Sequence, residues 1–267
     1  MKVSASSIWS SVKEIKANSP VIHNITNYVV MNNTANALLA IGASPVMAHA
    51  EEEVEEMVNI ARALVINIGT LSPHWIRAML LAVEQAKKIN IPIVLDPVGA
   101  GATVYRTSTA GELIQEAPPA IIRGNASEIM ALMKKDAKTK GVESTTSSHS
   151  AVDIARRLNK TYGSVVCVSG ETDYIICGDD VTKVMNGHPM MTKVTGMGCI
   201  ATAICGAFAA VNETFAEATV QAMAVMGIAG EIAAKDAAGP GMLQVRFLDA
   251  LYGLSENNIK HYLRLEG

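Results

Sequence analysis

The chain has 267 residues, 49% of them hydrophobic, and its 22 basic and 25 acidic residues give a net charge of −3. Aromatic residues make up 4% of the sequence and no basic cluster occurs, so the sequence lacks the charged surface and stacking platforms of nucleic-acid-binding proteins. No apolar run reaches the roughly 18 residues that a membrane span needs, and residues 1–20 show no signal-peptide core. We therefore expect a cytoplasmic protein that binds neither nucleic acid nor membrane.

From Val21 onward, short β-branched runs alternate with longer helical patterns. We predict strands at Val21–Ile25, Ser44–Met47, Ala63–Ile68, Ile91–Leu95, Ala120–Ile122 and Ser164–Val168. We predict helices at Asn32–Ala40, Glu51–Arg62, Pro73–Lys88, Ser127–Lys134, Ala151–Tyr162, Cys199–Val211 and Phe215–Ala234. A hairpin is predicted where Tyr174–Cys177 and Val181–Met185 flank a Gly-Asp-Asp turn.

Several of these strands, such as Ile91–Leu95, are apolar on both faces. That pattern is typical of a parallel sheet covered by helices on each side. With the added hairpin, the alternation predicts an α/β fold, a three-layer α/β/α sandwich around a mostly parallel central sheet. The one linker-like stretch is Lys134–Ser150, which we expect to be an exposed loop within a single domain spanning residues 1–267.

Polar residues and glycines follow five of the predicted strands. They are Asn24, Thr26 and Asn27, then Gly69 and Thr70, then residues 96–103, 123–128 and 169–173. In an open parallel sheet, the loops after the strands lie at the carboxyl edge, where ligands bind. The sequence therefore predicts a ligand site at this edge of the sheet.

A glycine turn, Gly196-Met197-Gly198, leads into the apolar helix that starts at Cys199. Such a turn gathers unpaired backbone N–H groups at the positive end of the helix dipole, which favours an anion, usually a phosphate. The same field can lower the pKa of the Cys199 thiol. A plain helix start with a small buried cysteine explains the same pattern. Cys167, Cys177 and Cys205 form no CxxC pair and are expected to be reduced and inert.

Two carboxylates and one arginine follow the strands beside that turn. Asp96 and Glu128 are candidate Mg²⁺ ligands, directly or through water, because this ion prefers hard oxygen donors. Glu128 alternatively completes a capping box with Asn125. Arg123 ends an apolar strand, and it either pairs with an acidic neighbour or binds a triphosphate. Together these groups suit phosphoryl transfer from a magnesium nucleotide.

The common nucleotide fingerprints are absent. The sequence contains no GxxxxGK[ST] run, and no GxGxxG follows the first strand, which argues against a P-loop kinase and against a dinucleotide oxidoreductase. Four segments in combination instead resemble the hydroxyethylthiazole kinase family, a branch of the ribokinase-like enzymes that serves thiamine salvage. These segments are residues 21–47, 96–103, 123–128 and 187–199.

The resemblance implies a ribokinase-like fold and transfer of the ATP γ-phosphate to the primary hydroxyl of 4-methyl-5-(2-hydroxyethyl)thiazole, with Mg²⁺. It also implies a homotrimer with active sites at the subunit interfaces. Met47, Gly196 and Asn27 would bind the thiazole. Arg123 and Ser169 would bind ATP, with Gly198 in the anion-binding turn. Asp96 and Glu128 would surround the metal and the phosphates.

Cys199 stands where many ribokinase-like enzymes carry a catalytic aspartate. Its thiolate would act as the base, or its thiol would only orient the acceptor hydroxyl; we favour the second, because a loose phosphoryl-transfer transition state asks little of a base. Two other functions remain open. One is the ATP- or ADP-dependent dehydratase of hydrated nicotinamide cofactors, which usually carries aspartate at this position, and the other is a nucleotide sensor without turnover.

Overall fold

The computed structural model describes residues 3–133 and 148–267. In these residues the central layer is a nine-stranded sheet. The strands are β1 Val21–Ile25, β2 Ser44–Val46, β3 Ala63–Asn67, β4 Ile93–Asp96, β5 Ile121–Asn125, β6 Val165–Ser169, β7 Asp173–Cys177, β8 Asp180–Val184 and β9 Leu265–Glu266. Their order is β2-β1-β3-β4-β5-β6-β7-β8-β9. Strands β1 to β6 run parallel, and β7, β8 and β9 each run antiparallel to the preceding strand.

Helices cover both faces of this sheet. They are α1 Ala5–Asn18, α2 Met31–Ile41, α3 Val54–Ile60, α4 Pro73–Ile89, α5 Val104–Glu116, α6 Ala126–Leu132, α7 Ser148–Tyr162, α8 Met197–Ala209, α9 Phe215–Ala234, α10 Pro240–Tyr252 and α11 Glu256–Tyr262. A short 3₁₀-helix, Pro189–Lys193, precedes α8. Among the residues that the structure describes, none of the helices is long and apolar enough to cross a membrane.

The core has two parts, one on each face of the sheet. Helices α1, α2 and α8 to α11 pack on one face, and α3 to α7 pack on the other. Successive strand residues point to opposite faces, so Val65 belongs to the first part and its neighbours Leu64 and Ile66 to the second. The predicted three-layer α/β/α sandwich with a mostly parallel sheet is therefore confirmed.

Helix α8 lies directly against the sheet and is buried over almost its whole length. A Cβ atom on Gly206 would lie 2.6 Å from Val65 Cγ2 and 3.3 Å from Ile22 Cγ2. Glycine thus lets the helix backbone approach the strands closely. This contact sets the position of the N-terminus of α8 relative to the carboxyl edge of the sheet.

The predicted strands and the hairpin are all present, the first strand with the predicted ends and the others with ends that differ by up to three residues. Of the predicted helices, Glu51–Arg62 was too long, because residues 51–53 form a turn before α3. The predicted helix Ser127–Lys134 corresponds to α6, although Lys134 lies outside the described residues. Most of the predicted loop Lys134–Ser150 also lies outside them, and its last three residues already belong to α7.

Helices α1, α5, α10 and α11 and strand β9 were missed. Helix α1 contains four serines, which compete for backbone hydrogen bonds and weaken a helical pattern. Its buried stripe, Ile8, Val12 and Ile15, is stabilised by packing against helices α2, α8 and α11. Helix α10 follows Gly239 and begins with Pro240-Gly241, a combination that by itself indicates a turn.

Candidate functional site

The polar residues at the carboxyl edge of the central strands share one face of the sheet. Four polar residues each stand two positions beyond a strand residue that packs on the α8 side of the sheet: Asn67, Asp96, Arg123 and Ser169. Because side chains alternate along a strand, all four point to that same side, toward the start of α8. Asn67 and Asp96 are direct partners in the register of β3 and β4. The predicted convergence at the carboxyl edge follows from this shared face.

Asp96 is 1% exposed, and its Oδ2 atom accepts both of its hydrogen bonds. Asn67 Nδ2 donates one at 2.8 Å and Thr202 Oγ1 donates the other at 2.8 Å. Burial raises the pKa of this carboxyl to about 6, and the charge of Glu128 adds to the rise. The two donors and the guanidinium of Arg123 oppose it. Asp96 is thus a buried acid whose ionised form is stabilised by Asn67, Thr202 and Arg123.

Arg123 lies partly buried between the sheet and the glycine turn. Its Nη2 donates to Ser169 Oγ at 2.8 Å, and a Cβ atom on Gly198 would lie 2.7 Å from its Nη1. Burial alone lowers the pKa of the guanidinium, but acidic neighbours, Asp96 first, hold it above its usual value. Within the described residues, Arg123 Nε has no hydrogen-bond partner. A permanent positive charge with unused donors therefore lies beside the N-terminus of α8.

Glu128 does complete the capping box that the sequence allowed. Its Oε2 accepts from the backbone N–H of Asn125 at 2.9 Å, while Asn125 Oδ1 accepts from the backbone N–H of Glu128 at 3.0 Å. Its Oε1 accepts from the N–H of Gly99 at 2.8 Å. Glu128 thereby ties the loop after β4 to the start of α6. Each of its oxygens keeps a lone pair for water or a cation.

The glycine turn has the backbone shape that an anion site needs. Gly196 is the N-cap of α8 with φ of 86°, in the left-handed region that favours glycine. A Cβ atom there would also lie 2.7 Å from Val30 Cγ1. No side chain caps the helix, so its first backbone N–H groups are not engaged by a capping side chain. These N–H groups and the side chain of Arg123 face the same end of α8.

Cys199 lies in the first turn of α8, and its thiol is neutral. Asn27 Nδ2 lies 3.5 Å from Cys199 Sγ. Burial, and then the nearby charge of Asp96, raise the pKa of the thiol to about 11. The expectation that the helix field lowers this pKa is therefore wrong, because loss of hydration outweighs the dipole. The neutral thiol fits an orienting role better than the role of a base.

The structure adds two residues that the sequence analysis did not select, Asn67 and Thr202. Asn67 was hidden inside a predicted buried strand, and Thr202 inside a predicted core helix. Asn67 Oδ1 accepts from Asn27 Nδ2 at 2.9 Å and from the N–H of Gly69 at 2.9 Å. An uncharged polar residue at the end of an otherwise apolar strand was the available signal for Asn67.

Met47 follows β2 directly, and its backbone oxygen lies 3.4 Å from His49 Nδ1. The ring of His49 packs on Trp75 at 4.6 Å between centroids, and Tyr28, the residue after Asn27, packs on the same indole at 4.8 Å. Met47 thus stands beside an aromatic cluster that borders Asn27. No direct contact between Met47 and Gly196 is among the described interactions, so their shared role stays a prediction.

Asp96 is the last residue of β4. Glu128 lies in α6 and binds the loop that follows β4. In the residues that the structure describes, no group of three or more histidine, cysteine, aspartate or glutamate side chains could hold a metal ion. Mg²⁺ fits this pair, because it keeps several waters and usually takes one or two carboxylates together with substrate phosphates.

Comparisons with known proteins point to one family. The model of the hydroxyethylthiazole kinase family matches residues 12–257. The hydroxyethylthiazole kinase of Syntrophus aciditrophicus is 61% identical over 99% of this chain and 98% of its own length. That of Leptospira biflexa is 56% identical over 93% of both.

Solved structures give the same answer. The hydroxyethylthiazole kinase protein of Pyrococcus horikoshii superposes with a TM-score of 0.91 at 42% identity over 98% of both chains. A ribokinase-like superfamily protein of Enterococcus faecalis superposes with a TM-score of 0.64 at 14% identity, over 93% of this chain and 94% of its own, which concerns the fold alone. The ribokinase-like fold and the resemblance drawn from the sequence are both confirmed. The chain belongs to the hydroxyethylthiazole kinase family.

Proposed function

We propose that this chain transfers the γ-phosphate of ATP to the primary hydroxyl of 4-methyl-5-(2-hydroxyethyl)thiazole, in thiamine salvage. The observation that carries the proposal is the meeting of Arg123, Asp96 and Asn27 at the N-terminus of α8. Relatives that cover nearly the whole chain are named hydroxyethylthiazole kinase. The dehydratase and the nucleotide sensor have no comparable support.

ATP is proposed to bind with its phosphates at the glycine turn. The free N–H groups of α8, including that of Gly198, and the guanidinium of Arg123 supply positive charge where negative charge gathers on the transferred group. Ser169 Oγ accepts from Arg123 and donates to the backbone oxygen of Gly124 at 3.2 Å. Ser169 therefore fixes the guanidinium and can exchange its own bond for one to ATP.

Mg²⁺ is proposed to bind near Asp96 and Glu128. Asp96 uses Oδ2 for both of its protein hydrogen bonds, which leaves Oδ1 for the ion or for one of its waters. Glu128 binds two backbone N–H groups and is suited to a water-mediated contact. When bound, the ion would neutralise charge on the phosphates.

The thiazole alcohol is proposed to bind between Asn27, Met47 and Gly196, with Cys199 beside its hydroxyl. Because the pKa of Cys199 is about 11, the thiol stays protonated at neutral pH. It then orients the hydroxyl by a hydrogen bond and does not withdraw its proton. The loose transition state of phosphoryl transfer makes this positioning sufficient.

We also propose a cytoplasmic homotrimer whose subunit interfaces border the acceptor site. Tyr28 is 63% exposed and Val29 is 66% exposed, and both directly follow Asn27. Large apolar side chains left in water beside a binding residue suit a surface that another subunit covers.

The test is ADP release by the purified protein, measured in a coupled assay with ATP, Mg²⁺ and the thiazole alcohol. Hydrated NADH in place of the alcohol is the matched control for the dehydratase. We expect turnover with the alcohol, none with hydrated NADH, and loss of turnover when EDTA removes the metal. Absence of phosphorylated thiazole under these conditions would overturn the proposal.

A further inference from the structure

We infer that Asn67 is a positioning residue that joins Asn27, on the acceptor side of the site, to Asp96, on the phosphate side. The inference rests on the proposed function, because it assigns a role within that reaction. Asn67 is 1% exposed, and protein groups engage both polar atoms of its side chain. It therefore acts through Asn27 and Asp96, and its side chain also lies close enough to Cys199 to lower the pKa of that thiol.

Asp96 determines which groups donate and which accept in this series of hydrogen bonds. An ionised carboxylate can only accept hydrogen bonds, so the atom of Asn67 that lies 2.8 Å from Asp96 Oδ2 must be the NH₂ group. The amide oxygen then faces the opposite way. There it accepts from the N–H of Gly69 at 2.9 Å, a donor that cannot be reversed. Two independent neighbours thus require the same orientation of the Asn67 amide.

This orientation in turn sets Asn27. Asn67 Oδ1 requires a donor, and Asn27 presents Nδ2 to it at 2.9 Å. Asn27 Oδ1 correspondingly accepts from the backbone N–H of Val29 at 3.1 Å. The second hydrogen of Nδ2 points to Cys199 Sγ, 3.5 Å away. The sulfur is thereby an acceptor toward Asn27, and the S–H hydrogen is left to donate to the acceptor alcohol.

The turn after β3 is shaped for this contact. A Cβ atom on Gly69 would lie 2.6 Å from Asn27 Nδ2 and 2.9 Å from Asn27 Cβ. Glycine at this position lets Asn27 reach Asn67. Asn27 itself is 5% exposed, so the pair is shielded from water and a missing partner is not replaced easily.

Thr202 provides a matched comparison. Its Oγ1 donates to the same Asp96 Oδ2 at 2.8 Å and accordingly holds the same carboxylate. The same hydroxyl hydrogen is shared with the backbone oxygen of Gly198, which lies 3.3 Å from Oγ1, and among the described residues no hydrogen bond joins Thr202 to Asn27. Thr202→Val removes a donor to Asp96 and leaves the link from Asn67 to Asn27 in place.

Steady-state kinetics of wild type, Asn27→Ala, Asn67→Ala, the double variant and Thr202→Val test the inference. We expect Asn67→Ala to lower kcat and to raise KM for the thiazole alcohol by about tenfold each, the size of effect seen for coupled buried groups. Thr202→Val should lower kcat while KM for the alcohol stays close to wild type. The double variant should lose less kcat/KM than the product of the two single losses.

An additive double variant, or equal KM values for Asn67→Ala and Thr202→Val, would overturn the inference. If Asn67→Ala does not fold, Asn67→Leu fills nearly the same space and removes both hydrogen bonds without placing a second carboxyl beside Asp96. It should lower kcat and raise KM for the alcohol as Asn67→Ala does, and an unchanged kcat or KM would contradict the link. Turnover by the wild type tests the proposed function independently of these variants. Calorimetric measurement of alcohol binding to the wild type, the two single alanine variants and the double variant gives the double-mutant cycle without turnover.

Discussion

At the scale of single residues, Cys199 shows how burial decides between two chemical roles. Its place at the first turn of α8 suggests a thiolate, but burial and the charge of Asp96 raise the pKa to about 11. A thiol with that pKa is almost entirely protonated at neutral pH. The residue is better suited to hold the acceptor hydroxyl than to deprotonate it.

We predict that Cys199→Ala keeps measurable turnover and that Cys199→Asp is at least as active as wild type. Loss of a true general base costs about 10²- to 10⁴-fold in rate, so an orienting thiol should cost less than about 100-fold. The measurement is kcat with the thiazole alcohol at saturating ATP, with Cys177→Ala as the control cysteine. Abolished kcat in Cys199→Ala that Cys199→Asp does not restore would contradict the orienting role.

Asp173 is a second buried acid near the nucleotide side of the site. It accepts from the N–H of Gly170 at 3.0 Å, and burial raises its pKa to about 6, against opposing contributions from that bond and from Arg123. A carboxyl whose pKa is higher in the folded than in the unfolded protein stabilises the fold at pH values below its pKa in the unfolded protein. That stability is lost as the pH rises through about 6.

Asp173→Asn should therefore stabilise the ligand-free protein at pH 7, by about 1–3 kcal/mol on the scale of 1.4 kcal/mol per pKa unit. The gain should shrink to near zero below about pH 4, where the carboxyl is protonated in both states. Urea unfolding at several pH values measures it, and Asp179→Asn on the exposed hairpin turn is the control. A gain that does not depend on pH would show that ionisation of Asp173 is not the cause.

At the scale of secondary structure, the sequence predicted the elements whose own pattern is strong. Apolar parallel strands and the long helix α9 have such patterns, and the ends of α9 were predicted correctly. Helices α1 and α10 depend on packing against other helices of their own layer, which no local pattern records. The role of Asn67 depends on the register of β3 with β4, so it became visible only when the strands were placed side by side.

The contact between α8 and the sheet gives a prediction at this scale. Gly206→Ala should destabilise the protein by about 1–3 kcal/mol, because the new Cβ atom overpacks the core against Val65. Gly111→Ala is the matched control in α5, where a Cβ atom meets nothing within 4 Å. It should stabilise by about 0.5–1 kcal/mol through helix propensity. Thermal unfolding of both variants checks the difference, and equal effects would refute the close-packing explanation.

At the scale of the whole molecule, exposed apolar side chains border the acceptor side of the site. Asp96 and Thr202 are buried between the sheet and α8, whereas the segment after Asn27 exposes Tyr28 and Val29 to solvent. Asn27 holds this segment through the backbone N–H of Val29. A second subunit packed on Tyr28 and Val29 would thus also restrict the motion of Asn27, which is proposed to bind the acceptor.

We accordingly predict that wild type sediments at three times the chain mass and that Val29→Lys shifts it toward the monomer. The charge in the apolar contact is costly to bury, and loosening the segment should raise KM for the thiazole alcohol more than KM for ATP. Val104→Lys is the control, since Val104 is 83% exposed at the start of α5. A monomeric wild type would contradict the trimer, and dissociation by Val104→Lys alone would mean that the subunits meet elsewhere. In either case Asn27 would owe its position to contacts within its own subunit, those to Asn67, Val29 and Cys199.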